Sequence, residues 1–221
     1  NRFRFEWNGL PGGNPLDALT SLLSTGLPGA STTPQRSMGL PSGALSAKNI
    51  RESVDASLKR LNTDHIDLFQ SHKDDKDTPQ EETLSTYAEL IKAGKIRFIG
   101  ASNFDAARLA EAAKISKEKA LPRYESLQPH YNLMERGLFE GELENECLKE
   151  GIGVIPYYSL ASGFLSGKYR SEADVGDAKR SAGVKKYINP KGMAVLKALD
   201  EGELHELEDA RNNHPEEHQN R

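Results

Sequence analysis

Between residues 46 and 158 the apolar positions switch repeatedly from helical spacing to short continuous runs. Ile50, Val54, Leu58 and Leu61 share one face of a helix predicted over 49–61, and 66–69 follows as a strand. A second helix is predicted over 82–93, with Leu84, Tyr87, Ala88 and Ile91 in register and Gly94 as its stop. Next come a strand at 96–99, an alanine-rich helix over 105–116 and a strand at 124–127. A helix over 138–150 carries Leu143, Cys147 and Leu148, and a strand at 154–157 closes the series. Strands thus start near 66, 96, 124 and 154, the spacing of strand, crossover helix and next parallel strand. Regular βα units predict an α/β fold of the TIM-type (β/α)8 barrel, and the repeat by itself leaves an open parallel sheet as the alternative.

The flanks differ. Residues 1–45 hold seven Gly and five Pro, which predicts loose order apart from a short strand at 2–7 and helical turns at 16–23. The charged stretch 73–82 is predicted as a solvated loop. Residues 159–200 are predicted as a loop and then a helix opened by Asn189-Pro190, with Met193, Val195, Leu196 and Leu199 on its apolar side. The organisation expected is therefore a Gly/Pro-rich segment (1–45), a barrel section (46–200) and an acidic tail (201–221).

Composition narrows the function classes. The chain has 221 residues, 36% hydrophobic and 28% charged, as a soluble globular protein does. No apolar run approaches the ~18 residues of a membrane span, and the first residues open no apolar stretch of a secretory leader. The net charge of −4 arises in 201–221, where seven acids face Arg211 and Arg221. Without a basic stripe, nucleic acid is not an expected partner. A single cysteine, Cys147, excludes an internal disulfide and a multi-cysteine zinc site, and a cytoplasmic location is expected. His205, His214 and His218 in the tail match no metal-ligand spacing.

In a parallel barrel the chemistry gathers at the carboxyl ends of the strands. Those ends read Gln70-Ser71-His72, Ala101-Ser102-Asn103, Gln128-Pro129-His130-Tyr131-Asn132 and Tyr157-Tyr158-Ser159. Each supplies hydrogen-bonding groups above mostly apolar strands, which marks one rim as the candidate site. Ser102-Asn103 also suits the cap of the following helix. His65 and His130 read as structural or exposed, and Cys147 as core. The run Gly163 to Lys168 is one residue short of a phosphate loop and lacks its Ser or Thr, and no G-x-G-x-x-G occurs, so neither an ATP loop nor a Rossmann site is supported.

Four ordered motifs resemble the middle of an aldo-keto reductase, an NADPH-dependent (β/α)8 barrel enzyme. They are RLNTDHIDLFQSH at 60–72, AGKIRFIGASNF at 93–104, QPHYN at 128–132 and GIGVIPY at 151–157, followed by Gly167-Lys168-Tyr169. The resemblance covers about residues 46–169 and is closest to the branch similar to potassium-channel β subunits. It implies that His72 is the active-site histidine orienting the substrate carbonyl. It implies that Ser102, Asn103 and Gln128 hydrogen-bond the nicotinamide carboxamide and that Tyr157 stacks on the nicotinamide ring. The stretch from Tyr158 through Leu160 and Ala161 to Lys168 matches the loop around the cofactor pyrophosphate. These side-chain types suit their tasks: amides and hydroxyls fix a carboxamide, an aromatic face meets a planar ring, and a lysine meets a phosphate.

The resemblance also implies a tyrosine acid with a lysine and an aspartate, on strands that precede this middle section. Residues 1–45 do not show that pattern, and no tyrosine precedes Tyr87. An incomplete barrel is therefore expected, with open strand edges that favour self-association. Two functions follow. One is an oxidoreductase reducing a small aldehyde or ketone with NADPH, possessing little activity if the acid is missing. The other is a non-catalytic relative that binds cofactor or a partner.

Overall fold

A computed structural model describes residues 5–8, 43–176 and 181–202. The chain divides into two compact units, one of Asn1–Gln128 with Leu143–Ile155, the other of Pro129–Glu142 with Pro156–Arg221.

The first unit is built on a five-stranded sheet. Its strands are β1 (Phe5–Asn8), β2 (Ile66–Ser71), β3 (Ile96–Ser102), β4 (Tyr124–Gln128) and β5 (Gly153–Val154), all parallel and in chain order. Chain order without reversal is the wall of a barrel; a doubly wound sheet reverses its order at a switch point. The short strand expected at 2–7 enters this sheet beside β2, so the wall has one strand more than the four predicted between 46 and 158. At the other edge, β5 pairs with β4 through Gly153 and Val154, so Val154 alone of the expected 154–157 strand lies in the ladder.

The helices are α1 (Ala47–Leu61), α2 (Gln80–Lys92), α3 (Ala106–Lys119) and α4 (Glu142–Glu150). Gly94 ends α2 as its sequence position predicts. Its N–H bonds the Ile91 carbonyl and that of Lys95 bonds Leu90, with Gly94 at φ 72°, which completes a Schellman turn. α4 starts at Glu142 rather than 138, because Gly141 sits at φ 98° and 136–138 forms a separate 3₁₀ turn. On α1, Ile50, Val54 and Ser57 are buried, whereas Leu61 at the last turn is exposed. Ser71 Oγ lies 2.8 Å from Tyr87 Oη and 3.4 Å from Tyr124 Oη, which ties sheet to helix layer. The register slips between Ile99 and Gly100, and this bulge turns Ser126 onto the face shared by Gly100 and Gln70.

The charged stretch 73–82 is not a solvated loop. Asp75, Thr78 and Gln80 are buried, and the Asp74 side chain is only 8% exposed. Polar groups at this depth must be paired, and they are. Asp75 accepts bonds from Leu45 N at 3.1 Å, Asp77 N at 3.2 Å and Thr78 Oγ1 at 2.6 Å.

The second unit packs Met134, Ala161, Phe164, Val175, Val184, Tyr187, Val195 and Leu196 into one core. Where a loop was expected after 159, 3₁₀ turns at Ala161–Ser166 and Glu172–Asp174 and a short helix α5 (Ser181–Lys185) precede α6 (Pro190–Glu201). Asn189 caps α6 by accepting a bond from Gly192 N at 2.9 Å, with Pro190 in the first turn as predicted. The helical turns expected at 16–23 and the acidic residues beyond Gly202 lie outside the described residues. No helix among the described residues is long and apolar enough to cross a membrane.

Candidate functional site

The carboxyl ends of β2, β3 and β4 bring His72, Ser102, Asn103 and Gln128 together in the first unit. Register places Ser71 beside Ala101 and Ser102 beside Gln128, so residues 72 and 103 leave adjacent strands within one residue of the same level. Ser102 is fully buried, and its hydroxyl donates to the Gln128 carbonyl at 2.7 Å. Asn103 sits in the left-handed region at φ 55°, where asparagine is tolerated better than most residues. That turn aims its Nδ2 at the His72 carbonyl, 2.9 Å away, and at Ser102 Oγ, 3.1 Å away. His72 and Gln128 are half-buried.

Beneath this rim lies Gln70, a strand-end residue to which the sequence motifs give no role. Gln70 is fully buried, and its Nε2 donates to Gln128 Oε1 at 2.6 Å. Ser126 Oγ donates to Gln70 Oε1 at 3.2 Å. The signal available in the sequence was a glutamine near the end of an otherwise apolar strand, a position where an amide is buried only if it is paired. With its oxygen engaged, Gln128 keeps an Nε2 donor that meets no described residue.

The second unit holds Tyr157, Tyr158, Leu160, Ala161 and Lys168. Tyr157 forms a parallel bridge with His130, and its ring stacks on the His130 imidazole at 5.3 Å and 17°. His130 is half-buried, the structural of its two expected alternatives; burial foremost, with Lys186 nearby and against the pull of Glu135, holds its pKa below the usual histidine value. Burial, reinforced by Tyr158, raises that of Tyr157. Tyr158 (φ 56°) and Leu160 are exposed, while the Ala161 methyl is wholly buried in the core. Buried Asn132 fastens this turn. Its Nδ2 donates to the Tyr158 carbonyl at 3.1 Å and its Oδ1 accepts from Met134 N and Glu135 N. Lys168 is exposed, its Nζ 4.8 Å from the Tyr169 ring centre.

Chemically, the first unit offers amide donors and acceptors at a strand-end rim beside an imidazole. The second offers an aromatic face and an exposed ammonium on a loop with successive positive-φ residues, Ala161, Ser162 and Gly163. Among the described residues no cluster of His, Cys, Asp or Glu suits a metal ion.

Comparison with known proteins bears on these groups. A model of the aldo/keto reductase family matches residues 38–215, beyond both ends of the motif-bearing stretch. The aldo-keto reductase dtxS3 of Metarhizium robertsii is 43% identical over 122 residues, 55% of this chain and 33% of that protein. The L-glyceraldehyde 3-phosphate reductase of Escherichia coli is 36% identical over 124 residues, 56% of this chain and 36% of its own length. The uncharacterized oxidoreductase YrpG of Bacillus subtilis is 35% identical over 144 residues, 65% and 44% of the two chains. The chain thus spans a third to under a half of the length of these relatives.

Proposed function

The chain belongs to the aldo/keto reductase family of oxidoreductases, and on that premise we propose that it binds NADPH and directs hydride to a small aldehyde or ketone. The observation that carries this is the amide cluster at the ends of β3 and β4. A nicotinamide carboxamide needs one acceptor and one donor at fixed positions. Gln128 Nε2, held outward by Gln70, supplies the donor, and the Asn103 amide stands on the neighbouring strand end. Ser102, buried with its hydroxyl donating to the Gln128 backbone carbonyl and accepting from the Asn103 amide, supports the rim rather than touching the ligand. NADPH supplies the hydride; His72 orients the carbonyl that receives it. For the second unit, taken by itself, the family resemblance assigns ring stacking to Tyr157, the pyrophosphate to Tyr158, Leu160 and Ala161, and a phosphate to Lys168.

A specific observation favours a second function, cofactor binding without turnover. The described tyrosines of the first unit, Tyr87 and Tyr124, are both buried under the helix layer, and burial raises the Tyr124 pKa further. Neither stands at the rim as a proton donor. Incubating the chain with NADPH and a reactive aldehyde separates the two. Turnover lost in His72→Ala supports the reductase. Saturable NADPH binding with no turnover supports the binding protein, and absence of binding removes both.

A further inference from the structure

We propose that Arg108 and Asp74 are positioning residues for His72, an inference that rests on His72 meeting the substrate carbonyl. Asp74 lies two residues beyond His72 and Arg108 lies in the first turn of α3, which follows Asn103. The Arg108 fork closes on the Asp74 carboxylate, Nε at 3.0 and 2.9 Å from its two oxygens and Nη2 at 2.9 Å. Nη1 is held by Glu111 at 2.8 Å, and Glu111 is held in turn by buried Gln80. The guanidinium therefore has one orientation.

The pair is largely buried, with 18% of the Arg108 side chain and 8% of the Asp74 side chain exposed. Burying two charges is a poor source of stability, because desolvation cancels most of the attraction; what a forked pair fixes is geometry. Here the segment fixed is the one leaving His72. Asn103 grips the His72 carbonyl at 2.9 Å, Arg108 grips Asp74, and the Asp75 carboxylate closes the following turn on Thr78 and Leu45. Asn103 opens the β3–α3 connection and Arg108 stands in the first turn of the helix it leads into. This one stretch, 103–108, thus holds the backbone at and just beyond the carbonyl-orienting histidine. A misplacement of ~1 Å of such a group costs ~100-fold in rate.

The test uses the whole chain and two readouts. The first needs no activity: the His72 ring signals in the NMR spectrum, identified by their loss in His72→Gln among six histidines. The second is kcat for an aldehyde beside Kd for NADPH. In Arg108→Gln the His72 signals move and kcat falls ~100-fold, while Kd for NADPH changes less than ~2-fold. Arg108→Lys, which keeps the charge but loses the fork, restores only part of both. Lys117→Gln, which breaks the α3 ion pair to Glu150, changes neither. If Arg108→Gln fails to fold, Asp74→Asn carries the same expectation. Unmoved His72 signals in a folded variant overturn the inference. A wild-type chain without turnover, with His72 signals that still move in the variant, overturns the reductase function and leaves the positioning in place.

Discussion

Gln70 reaches Gln128 over Gly100: the Gln70 Nε2 donates to Gln128 Oε1 at 2.6 Å although β3 separates their strands. The contact exists because residue 100 has no side chain. A Cβ there would stand 2.6 Å from Gln70 Oε1 and hard against Ser126 Oγ. The glycine is thus part of how the rim amide is aimed.

Gly100→Ala is expected to destabilise the fold by ~1–3 kcal/mol, as overpacking does, and to weaken NADPH binding with it. Urea denaturation measures the first effect and cofactor titration the second. Adding Gln70→Ala should return part of the stability, because one of the two groups in the way is gone while Ser126 Oγ stays; two costs that simply add would refute the geometry.

A second expectation concerns acid. Burial pushes the Asp75 carboxyl up, but the Thr78 hydroxyl and the N–H groups of Leu45, Asp77 and Thr78 outweigh it and hold its pKa below the ordinary value. A carboxylate held low when folded stabilises fully above its unfolded pKa of ~3.9, and that contribution is lost as pH falls through the folded value. Asp75→Asn should therefore cost ~1–3 kcal/mol at neutral pH and flatten the acid limb of stability against pH. An acid limb as steep as in the wild type would contradict this.

The second unit has its own tight point. At Gly192 a Cβ would run into the Tyr187 carbonyl and come 2.9 Å from Phe164 Cζ. Gly192→Ala should loosen the core around Phe164 and Tyr187, read as a loss of near-ultraviolet circular dichroism. An unchanged spectrum and melting temperature would show that this packing is not as described.

Cys147 should be inert while the chain is folded. Burial first, and then Glu146, push its thiol up to about 11, so little thiolate exists near neutral pH. A disulfide reagent is expected to label one thiol in urea and almost none in the native chain. Rapid native labelling would place the residue at the surface instead.

The βα rhythm was readable because the strands are short and mostly apolar, at near-regular spacing, and the helices between them keep one apolar face. What escaped was set by tertiary pairing. The stretch 73–82 looks solvated by composition, yet Asp74 finds Arg108 and Asp75 finds Leu45 from segments distant in sequence, while Thr78 closes the turn locally. Where a strand was expected at 154–157 the ladder holds only Gly153 and Val154, and Tyr157 bridges His130 in the same register beyond Pro129 and Pro156, which have no N–H to give a ladder. His72, Asn103 and Gln128 were visible as polar ends of apolar strands. Gln70 stood among those polar ends too, but that it and Ser126 together aim the Gln128 amide was not legible, since a strand pattern does not reveal which buried amide meets which neighbour.

The central claim is that the rim amides of β3 and β4 hold a nicotinamide cofactor. Titration of NADPH into the whole chain, followed by cofactor fluorescence, tests it most directly. Saturable binding, weakened ~10-fold or more by Gln128→Ala and by Asn103→Ala, equivalent to ~1.4 kcal/mol each, and unchanged by Cys147→Ser, is the result predicted. Absence of saturable binding, or equal affinity in all four proteins, would contradict it.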